Sequence, residues 1–186
     1  FCFEWGYKSA YTTQAFSVKD AIALGAQMVL ISLTLKTGDE MNDLKNVEVY
    51  AKLCNEAREY GIPVIGECFP TESDDISEEE MHDRVLRGTR IIAEMGADVI
   101  KTFYTHKFKE VVQGCPIPIL GLGGHTTPDP IDSLQLAADE IAAGCKGVVF
   151  GRNALQRENP IMYQRALNEV VKRGMSPADA VEKFKL

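Results

Sequence analysis

No stretch of this 186-residue sequence is apolar for long enough to cross a membrane, since its longest apolar runs are strand-length and broken by Lys, Asp or Gly. The first residues do not join a positively charged stretch to an apolar core, so no signal peptide is read. There is no C-x-x-C pair: Cys2, Cys54, Cys68, Cys115 and Cys145 are scattered, and an odd, unframed set reads as reduced thiols in a cytoplasmic protein. Histidine is scarce, and His82, His106 and His125 lack metal-ligand spacing, which disfavours a metal-dependent mechanism. Positive charge is in deficit: the formal net charge of −7 argues against non-specific nucleic-acid binding. An anionic substrate stays open, because a pocket is governed by its local donors. No G-x-G-x-x-G follows the first strand, which lowers the case for a dinucleotide-binding fold. An initiator Met is absent too; the chain opens at Phe1 in a segment, residues 1–7, with the look of buried structure, and the natural N-terminus is expected upstream.

What is present is the composition of a soluble globular protein, 45% apolar and 25% charged, and a length suited to one domain. Five times a helical pattern ends in Gly and an apolar run follows: from Gly25 to Ser32, Gly61 to Cys68, Gly96 to Lys101, Gly114 to Gly121 and Gly144 to Gly151. Glycine at these points suits a helix C-cap with positive φ, and the runs suit strands buried on both faces. Between them the apolar residues recur with helical period. Val47, Tyr50, Leu53, Cys54 and Ala57 form one face. Met81, Val85, Gly88, Ile92 and Met95 form another, in a helix opened by a capping box of Ser77 and Glu80. Ile131, Leu134, Ala138 and Ile141 form a third after Pro130. Alternating strand and helix at this spacing means parallel α/β architecture.

Polar residues close several of the strands: Ser32 and Thr34, Glu67, Lys101, Gly123 and Gly124, and Arg152. Chemistry shared among many strand ends is the habit of a TIM (β/α)8 barrel. Only about five strands are counted where a barrel needs eight, so about three βα units are expected to be missing, or another chain covers the gap.

Lys101 carries the sharpest chemistry. Strand alternation puts Val99, Lys101 and Phe103 on one face and Ile100 and Thr102 on the other. A charged lysine is costly among apolar neighbours, which favours the neutral, nucleophilic amine that imine formation requires. The competing reading is a lysine that snorkels to solvent at a strand end. A second constellation joins Gly121, Gly123 and Gly124 to Gly151, Arg152 and Asn153. Glycine-rich loops let backbone N–H groups approach an anion. A short helix near Asn153 to Gln156 and the Arg152 guanidinium add to a phosphate site. The plainer reading of those glycines is tight turns.

The linked runs Gly96-Ala97-Asp98-Val99-Ile100-Lys101-Thr102, Gly114-Cys115-Pro116-Ile117-Pro118, Gly123-Gly124 and Gly151-Arg152-Asn153-Ala154-Leu155-Gln156 resemble the deoxyribose-phosphate aldolase-like superfamily. The similarity is to the branch of archaeal-type class I fructose-bisphosphate aldolases and the thiolase-like enzyme that processes phosphorylated autoinducer-2, and it runs from about Ser17 to Arg173. It implies one barrel domain over residues 1–186, holding strands four to eight, with residues 1–16 unplaced and the missing units on the N-terminal side. It also implies a lyase without metal or cofactor, in which Lys101 is the Schiff-base lysine and Gly123, Gly124, Gly151 and Arg152 hold the phosphate of a small phosphorylated carbonyl substrate. A cytoplasmic homo-oligomeric ring, such as a decamer, is implied as well. The sequence departs from the branch where the acid/base Tyr before a Pro is expected: Phe69-Pro70 stands there, and the family's first-strand Asp falls outside this chain. Glu67, which shares the parity of Phe69, can serve as acid/base or as the structural partner of an inward Lys or Arg. Tyr104 has a hydroxyl on the Lys101 strand, but its parity points it away. The alternatives kept beside the aldolase are a lysine-dependent acyl or ketol transferase and a non-catalytic sugar-phosphate-binding paralogue. Cys68 and Cys145 read as core thiols, His125 as a solvated loop residue and residues 74–80 as an acidic helix start. Trp5 and Tyr7 are given no role.

Overall fold

The computed structural model describes residues 2–3, 11–70 and 75–186; Trp5, Tyr7 and Asp74 lie outside them. The chain divides into two compact units, residues 1–118 and 119–186.

The first unit begins with two short antiparallel strands, β1 (Cys2–Phe3) and β2 (Tyr11–Thr12), and the helix α1 (Val18–Ala23). Then come β3 (Val29–Leu33), α2 (Glu40–Glu59), β4 (Val64–Cys68), α3 (Glu78–Glu94), β5 (Val99–Thr102) and α4 (Phe108–Gly114). The strands β3, β4 and β5 pair in parallel with Ser32 opposite Glu67 and Glu67 opposite Lys101. Burial alternates along them: Val64, Gly66 and Cys68, with Ile100 and Thr102, are buried, whereas Ile65, Glu67, Val99 and Lys101 are half-buried. The buried set packs under the helices, where Tyr50, Val85 and Ile92 are wholly enclosed. Burying a side chain such as Ile92 contributes about 2–3 kcal/mol. Gly66 permits that packing, because a Cβ there would sit 2.2 Å from the Ile92 side chain and 2.6 Å from the Tyr50 hydroxyl.

The second unit holds β6 (Ile119–Leu122), α5 (Pro130–Ala143), β7 (Gly147–Val149), α6 (Arg152–Leu155), α7 (Pro160–Arg173) and α8 (Pro177–Phe184). Its strands pair in parallel, Leu120 opposite Gly147. The core is Leu134, Ala154, Tyr163, Ala166, Val170 and Ala180, with Phe150 and Phe184 packed on it.

Four of the five glycines that introduce the strands have positive φ (Gly25, Gly61, Gly96 and Gly144). Gly114 differs: it is the last residue of α4, and the chain leaves through an extended Cys115. Two helices are turned by about one residue from the faces read in the sequence. The buried stripe of α3 is His82, Val85, Thr89 and Ile92, and that of α5 is Ser133, Leu134, Ala137 and Glu140. Polar residues can join the α3 stripe because they find partners. His82 Nδ1 lies 3.0 Å from Thr105 Oγ1, and Thr89 Oγ1 donates to the Leu86 carbonyl at 3.1 Å. Half of the Ser77–Glu80 box is formed, with Ser77 Oγ accepting from Glu80 N at 3.2 Å. The Glu80 carboxylate goes to Arg84 Nε at 2.7 Å and Lys36 Nζ at 3.2 Å, since two cations outcompete a neutral backbone N–H. The box with both arms is at α1, between Ser17 and Asp20.

Among the described residues no helix is long and apolar enough to cross a membrane. No group of three or more His, Cys, Asp or Glu side chains is arranged to hold a metal ion among them either.

Candidate active site

In the first unit Ser32, Glu67 and Lys101 occupy adjacent register positions on three neighbouring strands, so their side chains share the face away from the helices. In a barrel that face is the interior. Lys101 Nζ donates to Glu67 Oε1, and Ser32 Oγ donates to Glu67 Oε2 at 2.6 Å. Both charged side chains are mostly enclosed, Lys101 at 20% and Glu67 at 12% exposure. The amine therefore faces a carboxylate, where the sequence showed only apolar neighbours along its own strand. Each partner is some 34 residues away in the chain, which is why the contact is invisible without register.

Two residues further along, Phe69 and Phe103 take the same parity, and their rings meet edge to face with centroids 5.2 Å apart. The position expected to carry a hydroxyl carries an aromatic edge. Tyr104 turns away and packs on Phe108, ring centroids 5.1 Å apart. Phe16, Leu30, Ser32, Glu67 and Phe69 line an open cavity of about 710 Å³ within this unit.

In the second unit the loop after β6 carries Gly123 and Gly124. A Cβ on Gly123 would lie 2.7 Å from the Phe150 ring, and Gly124 sits at φ +60°. Arg152 is exposed, and its Nη2 donates to the Gly124 carbonyl at 3.1 Å, so the guanidinium is held at the loop with donors to spare. Gly151 precedes the single turn α6, and its carbonyl accepts from Ala154 N at 3.0 Å and Leu155 N at 2.9 Å. The structure thus brings Gly123, Gly124 and Arg152 together, with Gly151 beside Arg152 in the chain.

What organises this loop is Asn153 of the Gly-Arg-Asn run, together with Thr127 and Arg157, which the sequence did not single out. Asn153, 1% exposed, donates from Nδ2 to the carbonyls of Gly123 at 2.8 Å and His125 at 2.7 Å. Its Oδ1 accepts from Thr127 N at 2.9 Å and from Arg157 Nη2 at 3.0 Å. Arg157 also donates to the Thr127 carbonyl at 2.7 Å and Ser133 Oγ at 3.1 Å, and lies 5.2 Å over the Tyr163 ring. Loop carbonyls are thereby drawn inward to Asn153. Asn153 was within the quoted Gly-Arg-Asn run, but its loop partners Gly123, His125 and Thr127 lie 26–30 residues upstream, out of reach of any local pattern.

Cys54, Cys68, Cys115 and Cys145 are buried free thiols. Burial pushes the thiols of Cys68 and Cys145 up to about 12, which keeps them protonated and unreactive.

Residues 6–157 match the DeoC/LacD family aldolase profile. The chain is 33% identical to an uncharacterized aldolase of Saccharolobus solfataricus, over 96% of this chain and 67% of that protein. It is 32% identical to 2-amino-3,7-dideoxy-D-threo-hept-6-ulosonate synthase 1 of Archaeoglobus fulgidus, over 89% of this chain and 61% of that one. Among solved structures, a Schiff-base-forming fructose-1,6-bisphosphate aldolase superposes with a TM-score of 0.77 at 30% identity, over 86% of this chain and 64% of that one. An archaeal fructose-1,6-bisphosphate aldolase with its catalytic lysine covalently bound to a carbinolamine intermediate gives 0.77 at 28% identity, over 87% and 64%. The chain spans about two thirds or less of the relatives it matches. Its parallel strands and intervening helices are those of the TIM-barrel aldolases, and the chain belongs to the DeoC/LacD family of aldolases.

Proposed function

We propose that the protein is a class I aldolase in which Lys101 forms a Schiff base with a small phosphorylated carbonyl compound. The observation that carries this reading is the enclosed Lys101–Glu67 pair, an amine and a carboxylate side by side on the interior-type face of adjacent strands. The Lys101 amine adds to the substrate carbonyl, and loss of water gives a protonated imine. In the cleavage direction Glu67 takes the proton from the hydroxyl on the β carbon, two carbons from the imine carbon, and that C–OH becomes the carbonyl of the released aldehyde. The C–C bond then breaks, and its electron pair flows into the imine to leave an enamine. Run in reverse, the same groups form the bond, and Glu67 is the general acid/base that the absent tyrosine hydroxyl would otherwise supply.

Gly123, Gly124, Gly151 and Arg152 bind the substrate phosphate in this reading. The free guanidinium donors and the left-handed Gly124 beside them support it. The family match covers residues 6–157, which supports taking residues 1–186 as a single barrel domain. A cytoplasmic, homo-oligomeric enzyme belongs to the same proposal; the buried reduced thiols agree with the first.

A second reading, a lysine-dependent acyl or ketol transferase, is favoured by one observation, the Phe69–Phe103 edge in place of a hydroxyl. Product analysis separates the two. Incubated with fructose 1,6-bisphosphate and EDTA, the aldolase releases triose phosphate without any added acceptor, and Lys101→Met abolishes it. Turnover that requires an acyl or ketol acceptor would assign the transferase instead.

A further inference from the structure

We propose that Ser32 is a positioning residue for the lysine chemistry: its hydroxyl fixes the Glu67 carboxylate in the orientation that serves Lys101. The proposal rests on the assignment of Lys101 and Glu67 above.

Glutamate ends in a torsion with a broad, shallow preference, so a lone Glu67 would not hold one oxygen at the amine. Here each oxygen has its own donor: Lys101 Nζ on Oε1 and Ser32 Oγ on Oε2 at 2.6 Å. Two anchors on two oxygens define the plane of the carboxylate. The second is short and charge-assisted, as a hydroxyl-to-carboxylate hydrogen bond is. It is also built into the sheet, because Ser32 and Glu67 are register partners on paired strands. Neighbouring Ile31 and Leu33 are buried on the opposite face and fix which way Ser32 points.

The two anchors differ in what the reaction does to them. Imine formation takes hydrogens from the Lys101 nitrogen, which carries a single N–H once it is an iminium. Its bond to Glu67 is therefore remade during the cycle. The Ser32 hydroxyl undergoes no chemistry and holds Oε2 throughout. In the half-reaction on a bound ketone, the C–H bond beside the iminium breaks and its proton goes to Glu67 Oε1. The electron pair forms the enamine double bond while the iminium pair returns to nitrogen. Ser32 keeps its proton, and because that proton is committed to Oε2 it is not offered to substrate.

The test uses the whole chain with dihydroxyacetone phosphate as probe and reads three quantities: the yield of the borohydride-trapped adduct on Lys101, the probe concentration giving half of that yield, and the rate of deuterium uptake from D2O into the probe. For Ser32→Ala we expect adduct yield and half-saturation within twofold of the unsubstituted chain. Deuterium uptake should fall about 10- to 100-fold, the scale of one hydrogen bond to a charged group. Ser32→Thr, which restores a hydroxyl, should recover most of the rate. A rise in half-saturation with uptake unchanged would overturn the proposal, since Ser32 would then be a substrate contact. Unchanged uptake in Ser32→Ala, or no recovery in a folded Ser32→Thr, overturns it too. Absence of any adduct in the unsubstituted chain is a different result, which removes the Schiff-base reading itself.

Discussion

Glu140 gives the most quantitative prediction. It lies on the buried side of α5, is wholly enclosed, and neither carboxyl oxygen has a hydrogen-bond partner among the described residues. It is seated against β6 where the side chain is missing: a Cβ on Gly121 would be 2.0 Å from the carboxyl carbon. Burial first, and the neighbouring Asp139 charge second, push the carboxyl from its ordinary value of 4.5 up to about 9. Between those two values the folded chain keeps a proton that the unfolded chain has released, so stability falls as pH rises, by about 1.4 kcal/mol per pH unit. The loss begins near pH 4.5, reaches about 3 kcal/mol at pH 7 and levels off above pH 9. Glu140→Gln keeps the shape and stays neutral. Denaturant unfolding should show the variant equal to the parent near pH 4.5 and more stable by up to about 3 kcal/mol at pH 7. Parallel stability profiles for the two proteins from pH 5 to 8.5 would refute the assignment of a buried, protonated carboxyl.

Other expectations concern the site and its supports. Glu67→Gln should retain the borohydride adduct on Lys101 while steady-state turnover falls on the order of 100-fold or more, because the proton step loses its base and the amine does not. Asn153→Ala releases the Gly123 and His125 carbonyls and should lower stability by about 2 kcal/mol or more, seen in denaturant melts, with weaker inorganic phosphate binding by calorimetry. Gly66→Ala forces a methyl into the Ile92 side chain and should reduce the soluble folded yield and the melting temperature, whereas Gly61→Ala meets no neighbour and costs only about 1–2 kcal/mol through its positive φ. Native protein at pH 8 should leave Cys68 and Cys145 unlabelled by iodoacetamide, and both should label on unfolding.

The strand–helix alternation was legible because both periods are written in the order of apolar residues, and the C-cap glycines mark where one period gives way to the other. Strand parity was enough to group Glu67 with Phe69 and Lys101 with Phe103, since alternation is local. Register is not local: that Glu67 meets both Ser32 and Lys101 depends on how three strands slide against each other, and residues 32, 67 and 101 carry no mutual signal. The same holds for Asn153, which reads as one polar residue in a loop motif and proves to be the hub of the loop before α5. Polar residues on helix faces misled most. His82 and Glu140 count as exposed in any periodicity argument, and both are buried, the first beside a threonine hydroxyl and the second in the gap left by Gly121, where burial pushes its pKa up. The exchange of hydroxyl for ring at Phe69 was visible in the sequence, and its packing on Phe103 shows what fills the place.

The central claim is that Lys101 is the electrophile-capturing amine. Reduction with borohydride in the presence of dihydroxyacetone phosphate, followed by peptide mapping by mass spectrometry, tests it directly. The account predicts one stable adduct, on the peptide containing Lys101, abolished in Lys101→Met. An adduct on any other lysine, or none with this probe or with fructose 1,6-bisphosphate, would contradict it.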